Sequence, residues 1–340
     1  MKTNGIKTDS SAIKNIGIIG CGAWGVTIAK LLAENGKHVS IWCHDKQIAE
    51  QINSKKTHPN LPGVILPDKI IAETEFNPVI SASELLVSAL ASPYISQLIH
   101  IKPFYKTVPV LSLTKGFMEN EKSLFISDYI KKILDNCPLA ILSGPNLAEE
   151  IASGLPAASV IASDQPEIAA LFQKQLSSVK FRVYTSRDVA GVELGGILKN
   201  IIAIASGGID GLNLGSNLKS ALMTRGIKEM IRFAEYYNAK QGTLYGLSGI
   251  GDLITTCSSP KSRNYTVGYE LAKGNHLPQI LSKLGVVAEG VKTTKIVYHI
   301  ARSNQISMPI TEQIYNVLYE SKPVLKALEE LMLRDLRSEL

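Results

Sequence analysis

Lys199 is the one cation in a largely apolar stretch, Glu193-Leu194-Gly195-Gly196-Ile197-Leu198-Lys199-Asn200-Ile201-Ile202-Ala203-Ile204. Burial strips an ammonium group of solvent and favours its neutral form, which suits a group that gives and takes a proton near neutral pH. The same pattern also fits a lysine whose stem lies along apolar surface while its head reaches water. Asn200 beside it reads either as a satisfied core amide or as a polar partner. Gly249-Ile250-Gly251-Asp252 reads as a glycine-rich turn opening a helix. Asp252 either caps that helix or pairs with Lys199 and sets its protonation. Arg263, within Ser262-Arg263-Asn264, carries a guanidinium suited to bidentate phosphate binding, although a lone arginine in a polar loop is also an ordinary solvated residue.

A second chemistry sits near the N-terminus. Gly20-Cys21-Gly22-Ala23-Trp24-Gly25 fits the spacing G-x-G-x-x-G, directly after the apolar run Ile16 to Ile19 and directly before a helical pattern. In that context Gly20 permits a tight turn, Gly22 lets backbone approach a diphosphate, and Gly25 lets the helix pack against a strand. The diphosphate then meets free N–H groups at the helix N-terminus. A glycine-rich turn without a ligand is the plainer alternative. Trp24 either stacks near a cofactor or covers the loop. Asp45 lies 20 positions after Gly25 (45 − 25), close to where an acidic residue would bind the ribose of NAD, and His44 could instead face a 2′-phosphate. The choice between NAD and NADP stays open.

These residues need elements to place them. Short apolar runs at Ile16–Ile19, His38–Trp42, Leu85–Leu90, Val108–Leu113, Leu139–Leu142 and Ala158–Ala162 alternate with helical segments such as Val26–Asn35. This α/β alternation predicts a Rossmann-type doubly wound parallel sheet. Lys115-Gly116 and Gly144-Pro145-Asn146 each follow a strand, so they fall at the carboxyl edge where open α/β sheets bind ligands. After Val189 the pattern turns helical, with predicted helices over 193–206, 218–237, 287–303, 311–319 and 324–337. Three segments are therefore expected: a flexible extension over 1–15, a dinucleotide-binding domain over 16–190, and an all-helical substrate-binding domain over 191–340.

Composition narrows the class. Of 340 residues, 45% are hydrophobic and 19% charged, which fits globular domains rather than disorder. The net charge of +6 favours small anions, and no dense basic block interleaved with aromatics points to a nucleic-acid partner. Cys21, Cys43, Cys137 and Cys257 form no CxxC pair and have no zinc spacing, so no metal is expected and reduced thiols are the simple reading. The polar start lacks the apolar core of a signal peptide, and apolar runs read as shorter than the ~20 residues of a membrane span. A cytoplasmic protein without stable membrane insertion is the resulting expectation.

Taken together, GCGAWG, LTKGF, SGPNLAEEIASGLP, GVELGGILKNIIAIASGGIDGL, GLSGIGDLITTCSSPKSRN, VVAEG and MPITEQIYNVLY resemble the bacterial NAD(P)-dependent glycerol-3-phosphate dehydrogenases, in family order from about residue 16 to 320. The resemblance implies hydride transfer between C2 of glycerol 3-phosphate and NAD or NADP, interconversion with dihydroxyacetone phosphate, and supply of glycerol 3-phosphate for phospholipid synthesis. It implies that Lys199 is the proton acceptor, with Lys115 and Asp252 beside it in catalysis. Lys115, Gly144, Asn146, Lys199, Asn200, Asp252, Thr256, Ser262, Arg263 and Asn264 match substrate positions. Gly20, Gly22, Ala23, Trp24, Gly25, His44, Lys115, Ala148, Arg263, Val287 and Glu289 match cofactor positions. Partners are thus a small phosphorylated substrate and, as a further expectation, a second copy in a homodimer. Two departures stand out: Asn146 replaces the family's usual Ser or Thr, and Leu90-Ala91-Ser92 replaces a Pro-Ser followed by His or Gln that lines the cofactor. A different dehydrogenase acting on phosphate-free hydroxy acids, and a non-catalytic nucleotide-binding regulator, are the competing readings.

Overall fold

The computed structural model describes residues 13–118, 124–285, 287–336 and 338–339. The chain divides into two compact units, 1–193 and 194–340. Most of the expected N-terminal extension, residues 1–12, lies outside the described residues, as does Val286 of VVAEG. The expectation for 13–15 is corrected: Ile13 is buried and Asn15 opens the first strand, so the packed domain starts earlier than residue 16.

The first unit runs β1 (Asn15–Ile19), α1 (Ala23–Glu34), β2 (His38–Trp42), α2 (Lys46–Lys55), β3 (Ile70–Glu73), α3 (Phe76–Ser81) and β4 (Leu85–Ser88). A 3-10 segment, Ser92–Phe104, leads to β5 (Val110–Ser112), α4 (Ile126–Ile133), β6 (Leu139–Ser143), α5 (Ala148–Ala152), β7 (Ala157–Ala162), α6 (Pro166–Leu176) and β8 (Phe181–Ser186). Among the described residues the strands form one eight-stranded sheet in the order β3-β2-β1-β4-β5-β6-β7-β8. Successive strand side chains alternate between two cores. Ile16, Ile18, Leu85 and Val87 face α1, α2 and α6, while Ile19 and Leu86 face α3, the 3-10 segment and α4. The central strands are buried on both faces, which is why they read as continuous apolar runs.

The expectation of a parallel sheet holds everywhere except at one pair. β6 and β7 run antiparallel, with Ile141 opposite Ala162, and β8 then follows β7 in parallel. Strand–helix alternation is the same for either direction, so local pattern carried no sign of it. The sheet edges β3 and β8 were also absent from the predicted series; each is short or has alternating exposure.

The second unit is helical. The boundary falls within α7 (Val189–Gly211). There follow α8 (Gly215–Tyr236), α9 (Gln241–Leu244), a π-helical turn Leu247–Gly251, α10 (Asp252–Ser258), α11 (Arg263–Ala272), α12 (Leu277–Leu284), α13 (Glu289–Ser303), α14 (Pro309–Tyr319) and α15 (Val324–Met332). α7 corrects the expectation that apolar runs are too short for a membrane: by length and composition it qualifies, but its apolar window is 83% buried, as in a core helix. It packs closely on α11, because a Cβ on Gly207 or Gly268 would strike the backbone of the other helix.

Candidate functional site

The glycine turn lies between β1 and α1, as its spacing requires. Gly20 has φ +114°, a left-handed conformation open to glycine, and its N–H donates to the Trp42 carbonyl at 3.2 Å. A Cβ on Gly25 would collide with the Gly20 carbonyl oxygen and sit 2.9 Å from Ala89 Cβ, so the helix start can lie this close only with glycine. A Cβ on Gly22 would meet nothing within 4 Å, and α1 has no side-chain cap. The turn therefore presents uncapped N–H groups beneath open space, which fits the diphosphate of a dinucleotide. Ala23 and Trp24 form the first turn of α1 and pack half-buried on the core. The Thr27 hydroxyl reaches the Ala148 carbonyl at 3.2 Å, placing the start of α5 beside α1.

At the end of β2, Asp45 is the N-cap of α2: its carboxylate accepts from the N–H groups of Gln47 and Ile48 at 2.8 and 3.3 Å. His44 beside it is exposed, its ring 6.4 Å from that of Trp42. The sequence left open whether Asp45 meets a ribose or His44 a 2′-phosphate; locally, Asp45 is a helix cap.

Cys21 and Cys43 are joined in a disulfide, with Cα atoms 5.1 Å apart. This corrects the expectation of four reduced thiols. The two are 22 positions apart, but β1 and β2 pair in register up to Ile19 opposite Trp42, so the residues following them emerge side by side. Cys137 and Cys257 remain thiols, and burial pushes them up to about 11 and about 12. His58, 2% exposed, is a further support that the sequence did not signal. Its Nδ1 accepts from the Asn60 N–H at 3.2 Å, so Nε2 carries the proton and donates to the Cys21 carbonyl at 2.8 Å. Burial holds its pKa below the usual histidine range.

At the carboxyl edge of the sheet, the Lys115 ammonium donates to the Gly144 carbonyl at 3.2 Å. Gly144 has φ +151° and lies against Ser159. The Ser159 hydroxyl donates to Asn146 Oδ1 at 2.6 Å, while Asn146 Nδ2 is buried without a hydrogen-bond partner among the described residues. The hydroxyls of Ser88 and Ser143, at the ends of β4 and β6, are in the same condition. Buried donors left open at the ligand edge of such a sheet are what a polar ligand would satisfy. Leu90, in the departing segment, is buried, and its carbonyl accepts from the Thr114 hydroxyl at 2.8 Å.

In the second unit, Lys199 projects from α7 with its side chain 9% exposed. Its ammonium donates to Asp252 Oδ1 at 2.7 Å and to the Thr256 hydroxyl at 2.6 Å. The Thr256 hydroxyl in turn donates to the Asp252 carbonyl at 2.7 Å. The π-helical turn feeds α10 so that Asp252 and Thr256, one helical turn apart, face Lys199 together. Asp252 is 1% exposed, so the pair is a buried one in which the carboxylate offsets the lost hydration of the ammonium. Asn200 is a buried, satisfied amide: its Oδ1 accepts from Asn264 Nδ2 at 2.9 Å, and Asn264 Oδ1 accepts from the Gly290 N–H at 2.9 Å. This chain links α7, α11 and α13 next to Lys199. Ser262 caps α11 by accepting from the Tyr265 N–H, and Arg263 follows it, exposed and without an ion pair among the described residues. Val287 and Glu289 are half-buried where α13 begins.

The NAD-dependent glycerol-3-phosphate dehydrogenase N-terminus family matches residues 15–169, and the corresponding C-terminus family matches residues 188–329. The chain belongs to the NAD-dependent glycerol-3-phosphate dehydrogenase family. A relative from Nostoc sp., glycerol-3-phosphate dehydrogenase [NAD(P)+], is 43% identical over 95% of this chain and 98% of its own. Another of the same description from Trichormus variabilis is 44% identical over 95% and 97%. A crystal structure of glycerol-3-phosphate dehydrogenase from Coxiella burnetii superposes with a TM-score of 0.90 at 33% identity, covering 95% of this chain and 99% of that one. This member of the family is accordingly an oxidoreductase that uses NAD or NADP.

Proposed function

We propose that the chain interconverts sn-glycerol 3-phosphate and dihydroxyacetone phosphate, with Lys199 as the group that moves the proton. The observation that carries this reading is the buried cluster of Lys199, Asp252 and Thr256, with contacts of 2.7 and 2.6 Å. A nicotinamide, when bound, supplies or accepts the hydride. In the reductive direction Lys199 donates a proton to the developing C2 alkoxide and is left as an amine; in the oxidative direction that amine takes the C2 hydroxyl proton. The Asp252 carboxylate accepts from the ammonium and fixes its direction, and Thr256 holds a second ammonium proton. Arg263 receives the phosphate, because an exposed guanidinium without an ion pair among the described residues can take two oxygens of a dianion. Lys115, Gly144 and Asn146 serve at the sheet edge, where the open Asn146 amide donates to the ligand. The product feeds phospholipid assembly in the cytoplasm.

A substrate panel tests the assignment. Purified protein with NADH or NADPH is expected to reduce dihydroxyacetone phosphate and to leave phosphate-free ketoacids untouched. Turnover of a ketoacid with none of dihydroxyacetone phosphate would overturn it.

A further inference from the structure

We propose that Cys21 and Cys43 form a reversible dithiol–disulfide site that sets how tightly the glycine turn holds a dinucleotide. Cys21 stands between Gly20 and Gly22, and Cys43 stands directly before His44. The bridge therefore ties the β1–α1 turn, which fits a diphosphate, to the β2–α2 turn, where the ribose end is expected. The proposal rests on that reading of the turn.

The surroundings show what the bridge adds. The turn is tethered by Gly20 N–H to the Trp42 carbonyl and by His58 to the Cys21 carbonyl. Gly22 itself is exposed and contacts nothing that a Cβ would reach within 4 Å. Without the bridge, core packing of Cys21 and these hydrogen bonds hold the turn, while Gly22, which presents the uncapped start of α1, has no packing of its own. With it, Cys21 is fixed at both its carbonyl and its side chain. A site already ordered before binding retains more of its contact energy as affinity, and a cross-link confines the alternatives. The bridged form is thus the tighter binder. All four cysteines are buried, Cys21 at 5% and Cys43 at 0% exposed, but Cys137 and Cys257 are unbridged, so exchange falls on the Cys21–Cys43 bridge, which a reductant reaches beside the exposed Gly22.

The step is a thiol–disulfide exchange with a dithiol reductant. The Cys21–Cys43 S–S bond breaks, one S–S bond forms within the reductant, and its two protons and two electrons pass to the protein sulfurs. A small disulfide reverses it. By linkage, if the two forms differ in affinity by some factor, bound dinucleotide must shift the dithiol–disulfide equilibrium by the same factor.

The test uses the full chain in two states, oxidised with glutathione disulfide and reduced with dithiothreitol, with maleimide labelling and peptide mapping to count thiols. Calorimetry then gives the NADH and NADPH dissociation constants. The expected result is affinity weaker by about fivefold or more in the reduced state. Cys43→Ala is expected to match the reduced protein whether or not reductant is present. Saturating NADPH is expected to move the half-reduction point in glutathione buffers by the same factor. Dissociation constants equal within about twofold, or labelling of both Cys21 and Cys43 in glutathione disulfide, would overturn the proposal. Binding of neither dinucleotide in either state would overturn the reading of the turn along with it.

Discussion

Replacing Asp252 by Asn probes the Lys199 cluster through stability, with no substrate involved. Asp252 is 1% exposed and its Oδ1 is 2.7 Å from the Lys199 ammonium. Asparagine keeps the shape and removes the charge, which takes from a buried ammonium group the carboxylate that lies 2.7 Å from it. Losing one partner of a buried pair destabilises by about 3–5 kcal/mol. The lysine can escape that penalty only by folding neutral. Neutralising a group of ordinary pKa ~10.4 at pH 7 costs about 4.6 kcal/mol, at ~1.36 kcal/mol per unit, and at pH 9 about 1.9 kcal/mol. The sign follows from linkage: the unfolded variant then binds more protons than the folded one, so its stability rises with pH. Denaturant unfolding of wild type and Asp252→Asn at pH 7 and pH 9 is therefore expected to show a loss of about 3–5 kcal/mol that falls to about 2 kcal/mol. A loss below about 1 kcal/mol at both pH values would refute the view that the pair is buried and ionised.

Three further outcomes follow from other parts of the molecule. Gly25→Ala places a methyl group against the Gly20 carbonyl and Ala89, so dinucleotide binding measured by calorimetry is expected to weaken about tenfold or more, and unchanged affinity would contradict the packing. Arg263→Ala is expected to raise KM for dihydroxyacetone phosphate while kcat stays within a few-fold; an unchanged KM would mean the phosphate is held elsewhere. Glu229, buried beneath α14, accepts from the Ile310 and Thr311 N–H groups at 2.6 and 3.1 Å, and burial pushes its carboxyl up to about 7. Between pH ~4.5 and ~7 the folded state then binds more protons than the unfolded one, so this group's contribution falls as pH rises through that window. The decline in unfolding free energy from pH 5 to pH 8 is expected to be smaller in Glu229→Gln by up to about 3 kcal/mol, and an identical decline would refute the assignment.

What the sequence made legible and what it hid have physical reasons. The glycine turn was readable because three glycines at fixed spacing between a strand and a helix encode a local geometry, and the structure places them there. Lys199 was readable because a charge inside an apolar helix stands out. Its link to Asp252, 53 positions away, stayed one option of two, because a carboxylate at a helix start serves as a cap or a counter-ion equally well. Asp45 was read only against the ribose, with His44 as the alternative for a 2′-phosphate, and its role as the cap of α2 was not foreseen. The Cys21–Cys43 bridge was invisible because a spacing of 22 says nothing about proximity until β1 and β2 are known to be neighbours. Glu193 and Glu229 were passed over because charged residues on helices are usually solvated. Both are buried, holding the starts of α4 and α14, and burial pushes each up to about 7.

The central claim is that Lys199 carries the proton while other residues, the glycine turn first among them, secure the dinucleotide. Single-turnover reduction of dihydroxyacetone phosphate by bound NADPH, followed by loss of its absorbance in wild type and Lys199→Met, tests it most directly. The NADPH dissociation constant is measured on the same preparations. The expected result is a dissociation constant unchanged within about twofold and a turnover rate lower by about 10² to 10⁴. A variant that binds NADPH normally and turns over within a few-fold of wild type would contradict the account.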